Sequence, residues 1–266
     1  MDEYDQLKQA QKKAWASFTP TEIFNTAPAA HLAAFARIAA GQRVLDVACG
    51  TGVVAVAAAR RGAKVTGIDL TPELVAHAKT NASIARLEID FREGDAEALA
   101  FDDASFDVVV SQFGHMFAPR ADVVTREMLR VLRPGGTIAF ATWPPELFIG
   151  GMFSLVGRHL PKPTVQVSPP PLWGLPDVVR ERLGDRVTDL VFHRPDERYT
   201  YMSPQHACAF MERYVGPVGM VVAMYENQPD KLAGFRAELE ELAENYFQGD
   251  EGCMRFGTLL TRAKKA

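Results

Sequence analysis

The chain has 266 residues, 47% of them apolar and 23% charged, enough to bury one substantial core with an elaborated cover. A formal net charge of -4 excludes the basic surface on which non-specific nucleic-acid binding depends. The three cysteines, Cys49, Cys208 and Cys253, are far apart with no Cys-x-x-Cys pair, which excludes a disulfide framework or zinc cluster and fits a cytoplasmic protein.

The first five residues, Met1-Asp2-Glu3-Tyr4-Asp5, are acidic and do not read as a secretory signal. No apolar run approaches the roughly 20 residues needed to span a bilayer, so no membrane association is expected. Residues 3–18 read as a short helix ending at Trp15 and Phe18. From residue 41, short β-branched runs alternate with helical patterns. The predicted elements are a strand over Arg43–Val47, a helix over Val53–Arg61, a strand over Lys64–Asp69 and a helix from Pro72, with Thr71 as its cap. A weaker strand follows over Ile89–Arg92. Another spans Phe106–Ser111, where Val108-Val109-Val110 is continuous enough to be buried on both faces. Arg120–Leu132 reads as helix, Pro134-Gly135-Gly136 as a turn and Thr137–Trp143 as a fifth strand. Repeated units of this kind predict a mostly parallel sheet covered by helices on both faces.

Eight of the 17 prolines fall between Pro144 and Pro176, so regular alternation stops there. One helix near Gly150–Leu160 is expected inside this insertion. Asp177–Leu183 reads as helix, Arg186–Phe192 as strand, Pro204–Tyr214 and Lys231–Phe247 as helices, and Arg255–Thr261 as a last strand.

Gly50-Thr51-Gly52-Val53-Val54-Ala55 fits G-x-G-x-x-A, a pattern that brings backbone and a helix N-terminus close to a nucleotide cofactor. Alone it serves NAD as well as an adenosyl amino acid. Asp46, four residues before Gly50, would repel a pyrophosphate but suits a ligand that carries an ammonium group.

The segment Val44-Leu45-Asp46-Val47-Ala48-Cys49-Gly50-Thr51-Gly52 resembles the first motif of the class I S-adenosylmethionine (SAM)-dependent methyltransferases, notably the ubiquinone/menaquinone C-methyltransferase-like group of small-molecule enzymes. By that resemblance Asp46, Ala48, Gly50 and Gly52 touch SAM, and Asp69, with Leu70 beside it, accepts hydrogen bonds from the ribose. Gly94-Asp95-Ala96-Glu97-Ala98-Leu99 resembles the adenine-reading element, with Asp95 taking the exocyclic amine and the Ala96 N–H a ring nitrogen. Phe106–Gly114 resembles the fourth strand and its end, which puts Ser111 and Gln112 near the methionine part. Leu129–Gly136 resembles the turn before strand five. The resemblance spans roughly residues 30 to 143. Cys49 reads as a small residue packed beside the cofactor, because no histidine lies near it in sequence.

The resemblance implies a Rossmann-like, doubly wound α/β sheet of seven mostly parallel strands, the last antiparallel, in a single methyltransferase domain. Residues 1–26 form an N-terminal lid, 27–143 the SAM-binding core, 144–185 a Pro-rich cap insertion, and 186–266 the rest of the sheet with cap helices. His115, at the carboxyl edge after strand four, is the candidate base or acceptor-orienting group. Met116, Phe117 and Trp143 would form apolar walls. Trp15 and Phe18 would close one side of the acceptor site and Trp173 another, with Tyr199 and Tyr201 within reach. The expected reaction moves a methyl group to O, N or C of a small, partly apolar molecule, without a metal, in a monomer or homodimer. An NAD-dependent oxidoreductase and a non-catalytic SAM-binding regulator are the alternatives.

Overall fold

A computed structural model describes residues 2–16, 18–162 and 165–266. Helix α1 (Glu3–Trp15) opens the chain, and helix α2 (Glu22–Phe35) leads into strand β1 (Arg43–Val47). Helix α3 (Val53–Arg60), strand β2 (Lys64–Asp69), helix α4 (Pro72–Ala85) and strand β3 (Asp90–Glu93) follow. Strand β4 (Phe106–Gln112), helix α5 (Ala121–Val131) and strand β5 (Leu132–Thr142) complete the first half. Helices α6 (Phe148–His159) and α7 (Pro176–Leu183) precede strands β6 (Val187–His193) and β7 (Arg198–Thr200). Helices α8 (Pro204–Tyr214), α9 (Gly216–Met224) and α10 (Pro229–Glu244) lead to β8 (Phe247–Gln248), β9 (Cys253–Arg255) and β10 (Leu259–Lys265).

The main sheet has 7 strands in the order β3-β2-β1-β4-β5-β10-β6, and only β10 runs antiparallel to its neighbours. The order reverses between β1 and β4, which are parallel partners through Val44–Val108, Leu45–Val109 and Asp46–Val110. Val108, Val109 and Val110 are fully buried, each worth about 1.5–3 kcal/mol on burial. On α3, Ala55 and Ala58 are fully buried and let the helix lie close to the sheet. Between Phe106–Leu132 and Val108–Thr137 the β4–β5 register jumps, so the expected Pro134-Gly135-Gly136 turn is a bulge within β5. The Asp107 carboxylate fastens this place, accepting from the Arg43 backbone N–H (2.7 Å) and Arg133 Nε (2.7 Å).

A second core lies over the carboxyl edge of the sheet. Helices α6, α8, α9 and α10 and a 3-stranded sheet, β7-β9-β8, bury Phe148, Met152, Met211, Val218, Phe235 and Leu239. Residues 144–185 do not stay together: α6 joins the second core, whereas Trp173, Val179 and Leu183 pack into the main one. The last sheet strand begins at Leu259, later than Arg255, because Cys253–Arg255 pair first with β7 and β8. Helix α1 ends at Trp15, and Ser17 lies outside the described residues. No helix among the described residues is long and apolar enough to cross a membrane.

Candidate active site

The loop after β1 is shaped by two close approaches. Gly52 caps α3 at φ +84°, and a Cβ there would stand 2.8 Å from the Phe91 ring. At the end of β4, a Cβ on Gly114 would stand 2.4 Å from the Ala48 Cβ, so only glycine lets the two strand ends meet. Asp69 at the end of β2 ties this edge together. Its Oδ2 accepts from the Gly50 N–H (2.8 Å) and its Oδ1 from the Thr71 N–H (2.9 Å). Burial holds the Asp69 carboxyl above the ordinary carboxylate range, against the lowering effect of those two N–H groups.

These loops, at the reversal of strand order, open into a cavity lined by Asp46, Ala48, Gly50, Asp69, Leu70 and Thr71 on one side. Asp95, Ala96, Gln112 and Phe113 line it elsewhere, and Lys8, Gln11 and Trp15 of α1 cover it. Asp46 is 1% exposed, and neither carboxylate oxygen has a hydrogen-bond partner. Burial pushes its carboxyl up to about 8, opposed by the nearby Ala55 backbone N–H, which does not form a hydrogen bond, and aided by the Asp69 charge. An uncompensated buried carboxylate facing a cavity fits a cationic ligand group. Cys49 lines the same cavity as a thiol, since burial and the charges of Asp46 and Asp69 raise its pKa well above normal.

A second chamber adjoins the first. Trp15, Phe18, Asn25, Phe113 and Trp143 line both. Phe113 holds φ +60° there, and its ring stacks on Trp143 with centroids 4.1 Å apart and planes at 12°. Beyond them the chamber is walled by Phe24, Phe153, Tyr199, Tyr201, Phe210 and Phe256. Among the described residues, no Asp, Glu, Lys, Arg or His lines it. Helix α1 closes the first cavity through Lys8, whose Nζ lies 2.7 Å from both Asp95 Oδ2 and Glu97 Oε2. Burial alone would lower the Lys8 ammonium; the two carboxylates more than offset it.

Several expected site residues lie elsewhere. Gly52, on which a Cβ would point at the Phe91 ring, does not line the cavity. Ser111 is buried; its hydroxyl donates to the Val47 carbonyl (2.7 Å) and accepts from the His115 N–H (3.1 Å). His115 and Met116 line neither cavity, because the short 3-10 turn at His115–Phe117 sends both into the main core. His115 sits between Phe140 (4.7 Å) and Trp173 (4.8 Å), with neither ring nitrogen hydrogen-bonded. Burial, with the Arg182 charge, lowers its pKa to about 3. A base with no path to either cavity cannot take a proton from a ligand there. Trp173 likewise belongs to the main core and closes no cavity.

Sequence reasoning missed Lys8, Gln11, Asn25 and Phe113. Lys8 and Gln11 form an i, i+3 pair of polar residues on α1, one visible sign of a face turned to a polar site. The two on α2 and the β4 end carry no such signal.

Residues 44–136 match the family described as Methyltransferase domain. An uncharacterized protein of Mycobacterium tuberculosis is 36% identical over 228 residues, covering 85% of this chain and 82% of that one. A demethylmenaquinone methyltransferase of Thermus thermophilus is 40% identical over 121 residues, 45% of this chain and 54% of the relative. The YcgJ protein of Bacillus subtilis shares the fold, with a TM-score of 0.59 at 19% identity over 90% of this chain and 98% of that one. The chain belongs to the class I SAM-dependent methyltransferases. It is an enzyme whose cofactor is SAM, so the oxidoreductase and non-catalytic alternatives fall away.

Proposed function

We propose that the protein methylates a small, largely apolar molecule held in the aromatic chamber beside the cofactor cavity. The observation that carries this reading is the shared wall: a group at Trp15, Phe18, Asn25, Phe113 and Trp143 faces both spaces at once. SAM, when bound, supplies an electrophilic methyl on a sulfonium. Asp46 would hold its ammonium, Asp69 its ribose hydroxyls, and Asp95 with the Ala96 N–H its adenine. A carboxylate offers two acceptor oxygens to a vicinal diol, and both Asp69 oxygens keep a lone pair beyond the N–H groups they already serve. The Phe113–Trp143 stack and Trp15 exclude water and hold the acceptor against the methyl, an orientation effect that can supply many powers of ten in rate.

Among the described residues the chamber offers no side chain able to act as a base, so the protein contributes orientation and desolvation, and the acceptor supplies its own nucleophilic atom. Three free, buried cysteines suit a reducing compartment, and we place the reaction in the cytoplasm. The test is transfer of label from methyl-labelled SAM to a panel of phenols, quinones and amines. We expect label in one or more apolar ring compounds and none in charged, acyclic amines. Transfer only to the latter would refute the reading.

A further inference from the structure

A polar atom buried without a partner is unfavourable and calls for an explanation. In the cofactor cavity the Asp46 carboxylate is such a group. Among the described residues lining the second chamber, only the Tyr201 hydroxyl is. Its neighbour two residues earlier makes the contrast plain: the Tyr199 hydroxyl donates to the Phe24 carbonyl at 2.9 Å. Tyr201 is 6% exposed, and its ring lies parallel to Phe24 (5.9 Å, 10°) with Phe210 and Phe256 about it. It lines the second chamber alone and takes no part in the wall shared with the cofactor cavity. No charged side chain among the described residues lines the chamber, so the missing partner is neutral.

We propose that Tyr201 determines acceptor specificity: its hydroxyl hydrogen-bonds one neutral oxygen, a hydroxyl or carbonyl, on an otherwise apolar ring compound, at the end remote from the atom that is methylated. This rests on the reading that the chamber receives the acceptor. A site built around one hydrogen bond discriminates against analogues lacking that group, because the buried hydroxyl is then left unpaired.

The test is equilibrium dialysis of 2-naphthol and naphthalene against the full-length protein saturated with S-adenosylhomocysteine, for wild type, Tyr201→Phe and Tyr201→Met. The Phe variant keeps the ring and removes an atom that makes no hydrogen bond within the protein, so its thermal midpoint should stay at or above that of wild type. The preference for 2-naphthol over naphthalene should fall about tenfold in both variants, and naphthalene binding to Tyr201→Phe should change less than twofold. An undiminished preference overturns the role of Tyr201 and leaves the chamber reading standing. Failure of both rings to bind wild-type protein overturns the two together.

Discussion

Asp46 and His115 are both buried and both neutral near pH 7 in the ligand-free protein, yet they act on stability in opposite directions. Asp46 has a folded pKa of about 8 against about 3.9 in an unfolded chain, so the folded state binds the extra proton. Its contribution is fully present below about pH 4 and is lost as pH rises toward 8. An ammonium beside it reverses the preference, so SAM binding should expel a fraction of a proton at pH 7, and affinity should rise from pH 6 to 8. Titration calorimetry in buffers of differing ionisation enthalpy measures that release; Asp46→Asn should abolish it, and zero release by wild type would refute the pairing. His115 has a folded pKa of about 3 against about 6.5 unfolded, so its stabilising contribution is present above 6.5 and is lost as pH falls toward 3. His115→Leu should turn over within about twofold of wild type and unfold less steeply in acid. Loss of turnover in a folded variant would return His115 to the chemistry. The place of Asp46 in the cavity wall was legible because a carboxylate at that spacing from the glycines stands at the end of a strand where the sheet opens. His115 was misread because sequence places a residue at a sheet edge without saying which way a single 3-10 turn points it.

At the scale of elements, α1 is a cover held by specific bonds. Its Asp2 and Asp5 form a reciprocal capping box, and Lys12 and Lys13 sit in its last turn, so the helix is well specified locally. It is fastened by Lys8 on Asp95 and Glu97, by an ion pair from Lys12 to Glu93, and by Gln11 Nε2 donating to the Phe117 carbonyl (3.1 Å). Trp15 packs on the Phe117 ring at 4.7 Å. Lys8 is 10% exposed at its side chain, so this pair is less screened than a surface one. Lys8→Met keeps the apolar stem and removes the charge. Stopped-flow binding should then show S-adenosylhomocysteine leaving roughly 3–30-fold faster; an unchanged rate would mean that α1 does not control exit. The helix was readable from its pattern, but its docking was not, because Lys8 and Asp95 are 87 residues apart. The β-branched runs of the main sheet located β1, β2 and β4 closely for the opposite reason: a strand buried on both faces writes its burial into consecutive residues. Strands β7, β8 and β9, with only 3, 2 and 3 residues, leave no period to detect, and α2 carries Pro28 inside it.

For the whole molecule, the fold divides the cofactor cavity and the aromatic chamber, proposed to hold donor and acceptor, between two cores. The main core, built on the parallel sheet, sets the positions of Asp46, Asp69 and Asp95. The second, built on α6, α8, α9 and α10, sets the chamber wall. Damage to one should therefore spare the other. Leu239 is fully buried in α10, and Leu239→Ala should cost about 2–5 kcal/mol by opening a cavity there. At low temperature the variant should bind SAM within about threefold of wild type while methyl transfer falls at least tenfold. Equal loss of both would mean that the cores do not respond separately. The first core was foreseen in outline from residues 30 to 143, where motif and hydrophobic pattern agree. Of the second, the helices α6, α8 and α10 were legible but α9 and their assembly into one core were not, because helices that bury only one face against several partners share no motif and contribute side chains to the chamber from distant parts of the chain.

Two of the three tryptophans, Trp15 and Trp143, stand in the wall between the cofactor cavity and the chamber, while Trp173 lies deep beside His115 and Arg182. The protein thus carries intrinsic fluorophores between the two spaces and one remote from both. Replacing Trp173 with Phe would leave an emission that reports occupancy of either space directly, without a label.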